Sequence, residues 1–187
     1  MKFFVMRFVL LISCLSLLSC TTQLNDYQAV DKPFDVKAYF SGRVIAWGIV
    51  QDYTNHVQRR FCVEIDGSWQ GNEGLLAETF YFADGEVTYR NWALIKQTNG
   101  DYQGTAEDVI GQAIGRHQGF AFQFEYQLLL QLDDDVIEVT MDDWMYQLDQ
   151  YRVMNKTAMY KLGVQIAEVT LFFDKQQPVK NCGTFQS

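Results

Sequence analysis

Apolar and polar residues alternate along the chain from Val136 to Tyr146. Successive side chains of a β-strand point to opposite faces, so this alternation predicts a strand. One face carries Ile137, Val139, Met141, Asp143 and Met145, and the other carries Glu138, Thr140, Asp142, Trp144 and Tyr146. Since the first face is apolar apart from Asp143, we expect it to look into a core.

Asp143 is the exception on that apolar face. An ionised carboxylate there is costly unless it has a positive or hydrogen-bonding partner. Arg59 is the first candidate, because it interrupts an apolar row on its own predicted strand, and Arg90 is the second. We favour a structural ion pair that sets strand register over a ligand-binding role. Asp142 points to the opposite face, so the two adjacent carboxylates are not expected to form a catalytic acid–base pair unless a β-bulge intervenes.

Similar alternations recur along the chain between turn signals. Asp84-Gly85 is the strongest of these signals, because Asp-Gly favours the two-residue turns of β-hairpins. The predicted strands cover residues 44–52, 57–66, 75–82, 87–96, 102–109, 111–116, 120–132, 136–146, 152–160 and 166–173, with a loop over 67–74. No helix longer than one or two turns is predicted.

Nine or ten short strands at hairpin spacing are typical of a β-sandwich or a β-barrel. Consecutive hairpins favour an antiparallel up-and-down barrel, because closure leaves no exposed strand edge. The sequence therefore predicts an all-β barrel that occupies residues 33–187 as a single domain.

Large aromatic residues and a few charged ones fall on these strands in a way that suggests a lined cavity. The candidate ligand-binding residues are Trp47, Arg59, Arg90, Trp92, Tyr126, Asp143, Trp144 and Tyr146, together with the row Phe120–Phe124. An apolar lining with a few polar anchors is the usual composition of a small-molecule site. The alternative is a barrel filled by its own side chains.

The N-terminus has the pattern of a secretory signal peptide over residues 1–19. Lys2 and Arg7 precede an apolar run, Phe8–Leu18, that is too short to span a bilayer. The run closes in Leu17-Leu18-Ser19-Cys20, which resembles the lipobox of bacterial lipoproteins. In those proteins the cysteine is acylated and becomes the first residue.

The sequence thus predicts a mature chain that begins at Cys20, with residues 20–32 as a lipidated tether. The lipid would attach the protein to a membrane of the bacterial cell envelope. In such lipoproteins an Asp directly after the cysteine favours retention in the inner membrane. Thr21 stands at that position here, which indicates the outer membrane, with the protein facing the periplasm.

Composition narrows the possible partners. The net charge is −8, and loss of Lys2 and Arg7 with the signal peptide makes it −10. Nucleic-acid binding needs clustered Lys and Arg, so a nucleic-acid partner is not expected. Of the four cysteines, Cys14 lies in the predicted signal peptide and Cys20 is the predicted lipidation site. The other two, Cys62 and Cys182, are a candidate disulfide in an oxidising compartment.

Motifs for catalysis, metals and cofactors are weak. Two cysteines and two histidines lack zinc spacing, and no metal or cofactor is predicted. There is no Gly-x-Ser-x-Gly motif, and His56 and His117 fall in predicted turns. Gly111–Gly115 lacks the Lys-Ser/Thr ending of a phosphate loop, and Asp133–Asp135 is interpreted as a solvated hairpin tip. No catalytic residue is assigned.

Several motifs occur in the order in which one family of bacterial lipoproteins has them. They include Tyr39-Phe40-Ser41-Gly42, Ala46-Trp47-Gly48, Glu78-Thr79-Phe80-Tyr81-Phe82-Ala83-Asp84-Gly85, Arg90-Asn91-Trp92, Asp142–Tyr146 and Glu168-Val169-Thr170-Leu171-Phe172-Phe173. With these motifs the mature chain resembles the family known as domain of unknown function 3833. The resemblance implies a lipocalin-like fold and no assigned reaction.

Three functional hypotheses follow. The leading one is a non-enzymatic lipoprotein that binds or carries a lipophilic small molecule, such as a fatty acyl chain like palmitate, with an arginine meeting its carboxylate. The second is a structural or interaction lipoprotein of the envelope, which predicts a filled barrel. The third is an enzyme on modified acyl chains with Asp143, Tyr146 or Arg90 in its site, which requires a strongly perturbed carboxylate in a pocket.

Overall fold

Ten antiparallel strands close into a single barrel in a computed structural model that describes residues 22–132, 135–178, 180–183 and 185. Each strand pairs with its neighbours in sequence, and β10 pairs back onto β1. The strands are β1 (Gly42–Asp52), β2 (Val57–Gln70), β3 (Glu73–Phe82), β4 (Val87–Lys96), β5 (Tyr102–Thr105), β6 (Val109–Gln118), β7 (Ala121–Gln131), β8 (Val136–Gln147), β9 (Arg152–Lys161) and β10 (Val164–Asp174). The predicted all-β up-and-down barrel is confirmed. The predicted signal peptide and Cys20 lie outside the described residues.

The alternation in the sequence becomes the two faces of the barrel wall. On β8, Ile137, Met141, Asp143 and Met145 face the interior, while Thr140 lies outside. The inward side chains form one large hydrophobic core that includes residues of both ends of the barrel. Period-two patterning was therefore sufficient to assign the inner face of this strand.

One predicted loop is part of a strand. β2 continues through Gly67, which pairs with Gly42 on one side and Leu76 on the other. A Cβ atom built at Gly67 would lie 1.7 Å from the carbonyl oxygen of Phe40. The glycine is thus present because another part of the backbone packs against the strand, and it does not mark a turn.

A short N-terminal helix closes one end of the barrel. Helix α1 (Val36–Tyr39) follows Asp35, whose carboxylate caps it by accepting from the amide of Lys37 at 3.1 Å and of Ala38 at 3.4 Å. The same carboxylate accepts from the Tyr102 hydroxyl at 2.7 Å. The side chains that fill this end are almost fully buried and comprise Phe34, Val36, Tyr39 and Phe40.

Two segments pack on the outside of the wall. A disulfide joins Cys62 of β2 to Cys182, 120 positions later, and ties the C-terminal tail to the barrel beside Trp47. Tyr27, within the predicted tether 20–32, packs its ring against Phe120, Trp144 and Tyr146.

Within the described part of the chain, none of the helices has the length and apolar character needed to cross a membrane.

Candidate functional site: a polar cluster in the barrel cavity

The barrel encloses a cavity of about 590 Å³. The cavity extends along the barrel from Val36 and Phe40 at the closed end to Tyr89 and Leu132 at the opposite end. Its wall is mainly apolar, with aromatic rings from Phe61, Phe80, Phe82, Trp92, Phe122 and Phe124. The volume lies in the roughly 300–1,000 Å³ range of small-molecule sites. A barrel filled by its own side chains, which was the alternative, is not observed.

A small group of polar side chains interrupts the apolar wall. Glu78, Arg90, Tyr126 and Asp143 all line the cavity, and we call them the inner polar cluster. Glu78 on β3 is the register partner of Arg90 on β4. The charges of Asp143, Arg90 and Glu78 all act on the Tyr126 hydroxyl, so the four side chains share one electrostatic environment.

Asp143 finds neutral hydrogen-bonding partners. The side-chain amide of Asn155 donates to its carboxylate and also, at 3.1 Å, to the carbonyl of Trp144. Thr157 donates to the amide oxygen of Asn155 at 3.2 Å. Burial raises the pKa of Asp143 to about 7, although the bonds from Asn155 and Thr157 act in the opposite direction.

The predicted ion pair of Asp143 with an arginine is wrong, because Arg59, the first candidate, bonds to Asp84 and Glu86, and Arg90, the second, bonds to Asp108. Arg59 lies at the open end of the barrel, where it donates to Asp84 at 2.8 Å and to Glu86 at 2.5 Å. Its guanidinium stacks 3.6 Å from the ring centroid of Phe82. The acids of the β3–β4 hairpin therefore neutralise this arginine.

Glu78 is the least satisfied member of the cluster. The residue is half-buried, and its carboxyl group faces the cavity. No described residue hydrogen-bonds to this carboxyl group, because the guanidinium of its register partner Arg90 donates to Asp108 instead. Burial raises the pKa of Glu78 to about 7; the positive charge of Arg90 opposes this shift and the negative charge of Asp143 adds to it.

Arg90 is held by acidic neighbours. It forms an ion pair with Asp108 in the β5–β6 connection. Burial alone would lower the pKa of Arg90, but the neighbouring Tyr126, Glu78 and Asp108 raise it, so the side chain stays charged. The second carboxylate oxygen of Asp108 is buried without a hydrogen-bond partner among the described residues.

Five of the eight candidate ligand-binding residues line the cavity, and three do not. Those inside are Arg59, Arg90, Trp92, Tyr126 and Asp143. Trp47, Trp144 and Tyr146 lie on the outer face, where Trp47 packs near the disulfide and the other two pack against Tyr27. The physical reason is strand parity, because residues one position from an inward side chain point outward. Phe120 also lies outside, 46% exposed, in the turn before β7.

Sequence reasoning missed Glu78, Asp108, Asn155 and Thr157. Glu78 carried a usable signal, because it interrupts the apolar row of Leu76, Phe80 and Phe82 just as Asp143 interrupts its own. Asp108 had no such signal in the sequence, since it lies in a turn, where side chains do not alternate between two faces. No group of three or more His, Cys, Asp or Glu residues in the described part of the chain could hold a metal ion.

Comparison with solved structures finds a likeness to lobster apocrustacyanin A1, with 11% identity and a TM-score of 0.36. The match covers 79% of this chain and 66% of that chain, just under two thirds of its length. At this TM-score the likeness carries no weight for ligand or function. No curated protein matches the sequence.

The model of the family described as "Protein of unknown function (DUF3833)" matches residues 14–175, which is most of the chain. The chain belongs to this family, as its motifs predicted.

Proposed function

We propose that the protein binds a lipophilic small molecule in the barrel cavity. The observation that carries this proposal is an open cavity of about 590 Å³ with a mainly apolar wall and a few polar groups. Burying apolar surface of a ligand there is favourable by roughly 25 cal/mol per Å². The extension of the cavity from Val36 to Leu132, along the barrel, suits a chain-like ligand such as a fatty acyl chain.

A variant that fills the cavity tests this proposal. Val169 on β10 faces the cavity, and Thr170 beside it faces outward. We expect Val169→Trp to abolish binding of the neutral fluorescent probe N-phenyl-1-naphthylamine, while Thr170→Trp retains it. Circular dichroism of both variants checks that the barrel is folded. Equal probe binding by folded Val169→Trp would contradict a site inside the barrel.

The native ligand is sought by extraction. Mature protein purified from its own cell envelope should release a lipophilic compound into organic solvent, detectable by mass spectrometry. The compound should be missing from Val169→Trp purified in the same way.

We also propose that the protein is anchored to the bacterial outer membrane, facing the periplasm, through a lipid on Cys20. The lipobox-like residues 17–20 support this proposal, and a disulfide between Cys62 and Cys182 suits an oxidising compartment. Cys20→Ala should move the protein from the membrane fraction to the soluble fraction. Mass spectrometry of the N-terminal peptide should show acyl chains on the wild type alone.

One observation favours a second candidate function, an enzyme acting on a modified acyl chain. Asp143 and Glu78 have pKa values raised to about 7 inside a pocket, where a carboxyl group is able to act as an acid or a base. Incubation with envelope lipids should then give a change in lipid mass that Asp143→Asn abolishes. Unchanged lipids would leave binding as the function.

A further inference from the structure

We infer that the cavity selects lipophilic molecules whose polar group donates hydrogen bonds and is neutral or positively charged, and that it discriminates against free carboxylates. This inference rests on the proposed binding function and concerns the same cavity. It differs from the expectation that an arginine receives the carboxylate of a fatty acid.

Neither arginine in the described lining offers an unneutralised positive charge. Arg59 is paired with Asp84 and Glu86, and Arg90 is paired with Asp108. A lysine is absent from the cavity lining in the described residues. An entering carboxylate would therefore meet cations whose charge is already compensated.

The same carboxylate would also approach two acidic groups. Glu78 and Asp143 both line the cavity, Glu78 as the register partner of Arg90 and Asp143 within the influence of its charge. Like charges repel strongly when burial removes the screening of water. A carboxylate ligand would have to bind protonated or would force protonation of these acids, and either event lowers its affinity at neutral pH.

The hydrogen-bonding groups of the inner polar cluster suit a head group that donates hydrogen bonds and carries no negative charge. The Glu78 carboxyl group has no hydrogen-bond partner among the described residues. The Asp143 carboxylate is bonded to Asn155 and Thr157, but a carboxylate offers about four lone-pair sites, so it can accept from a further donor. An alcohol, amide or amine would donate to these acceptors. Arg90 uses one terminal nitrogen for Asp108, so its other N–H groups remain to bind an oxygen of an alcohol or amide.

The test compares four ligands that share one alkyl chain: decanoic acid, decanol, decanamide and decylamine. Each displaces N-phenyl-1-naphthylamine from the delipidated mature protein at about pH 8, above the pKa of about 7 to which burial raises Glu78 and Asp143. We expect the alcohol, amide and amine to displace the probe at concentrations at least about tenfold below that of the acid.

Two other outcomes would contradict either the inference alone or the proposed function as well. Displacement by decanoic acid at the same or a lower concentration would overturn the inference while leaving the binding function in place. Failure of all four compounds to displace the probe would overturn the proposed function and the inference with it.

Neutralising single acids tests which residues select the head group. Glu78→Gln should tighten decanoic acid binding severalfold and leave decanol little changed, which reduces the ratio between them. Glu168→Gln removes a carboxylate that pairs with Lys156 outside the cavity, and it should leave the ratio unchanged. Asp143→Asn repeats the measurement at the second acid. An unchanged ratio in both cavity variants would overturn the assignment of selectivity to these acids.

Discussion

Buried acids make the stability of this protein depend on pH in a predictable direction. The pKa of Asp143 is raised by burial from an ordinary value near 3.8 to about 7. Between these values the folded state binds more protons than the unfolded state, so stability falls as pH rises. The contribution is fully present below about pH 4 and is lost as pH rises through about 7.

Asp143→Asn should remove part of this dependence. At about pH 8 the variant should have a Tm several degrees above the wild type, because it avoids burying a charge, an effect on the order of a few kcal/mol. At about pH 4 the two Tm values should converge. Glu138→Gln is the control, since this residue is exposed on the outer face of the same strand. A Tm lowered equally at both pH values would contradict the argument.

Asp143 also shows where prediction from the sequence succeeded and where it failed. The alternation of side chains along β8 correctly predicted that Asp143 faces the barrel interior, because the pattern of a single strand shows which side chains share a face. The partner of Asp143 was predicted wrongly. Asn155 lies on the neighbouring strand β9, both of whose faces carry apolar residues, so the pattern of that strand does not show which face is inward.

Among the elements, the residue that ends α1 packs against β2: the backbone carbonyl of Phe40, just after the helix, lies against Gly67. Gly67→Ala should destabilise the protein by about 1–3 kcal/mol, because the new Cβ would collide with the Phe40 carbonyl oxygen 1.7 Å away. Urea unfolding measures the change. Ser68→Ala, an exposed neighbour on the same strand, should change stability little. An unchanged free energy of unfolding in Gly67→Ala would show that the Phe40 carbonyl oxygen does not pack closely against β2.

The disulfide acts on the C-terminal tail and on the unfolded chain. Replacing Cys62 and Cys182 by Ser should lower the free energy of unfolding by about 3–5 kcal/mol, because the bond closes a loop of 120 residues. Both cysteines lie outside the cavity wall, so probe binding should persist in the folded variant. Loss of binding at a temperature where the variant is folded would contradict a purely stabilising role.

At the scale of the whole molecule, ligand binding and stability are linked through the cavity. A saturating ligand that binds only the folded barrel stabilises it by about 2.7 kcal/mol at a hundred times its Kd. Decanol should therefore raise the Tm of the wild type and of Thr170→Trp, and should not raise that of Val169→Trp. A Tm rise of equal size in Val169→Trp would locate binding outside the cavity.

Barrel closure also explains why the site was only partly predictable. The hairpins joined the strands in the predicted order, since each turn signal connects neighbours. The inner polar cluster, by contrast, combines β3 and β4 with β7 and β8. Glu78 and Asp143 are distant in sequence and share an environment only because the wall curves back on itself.

By itself the sequence determined strand parity, the up-and-down order and the family, because alternation, turn residues and short motifs are local properties of the chain. Tertiary structure alone decided that the barrel is hollow and which arginines are already neutralised. These features depend on how far apart opposite walls stand and which side chains meet across strands. A period-two pattern records which way a residue points, and it does not record what that residue meets.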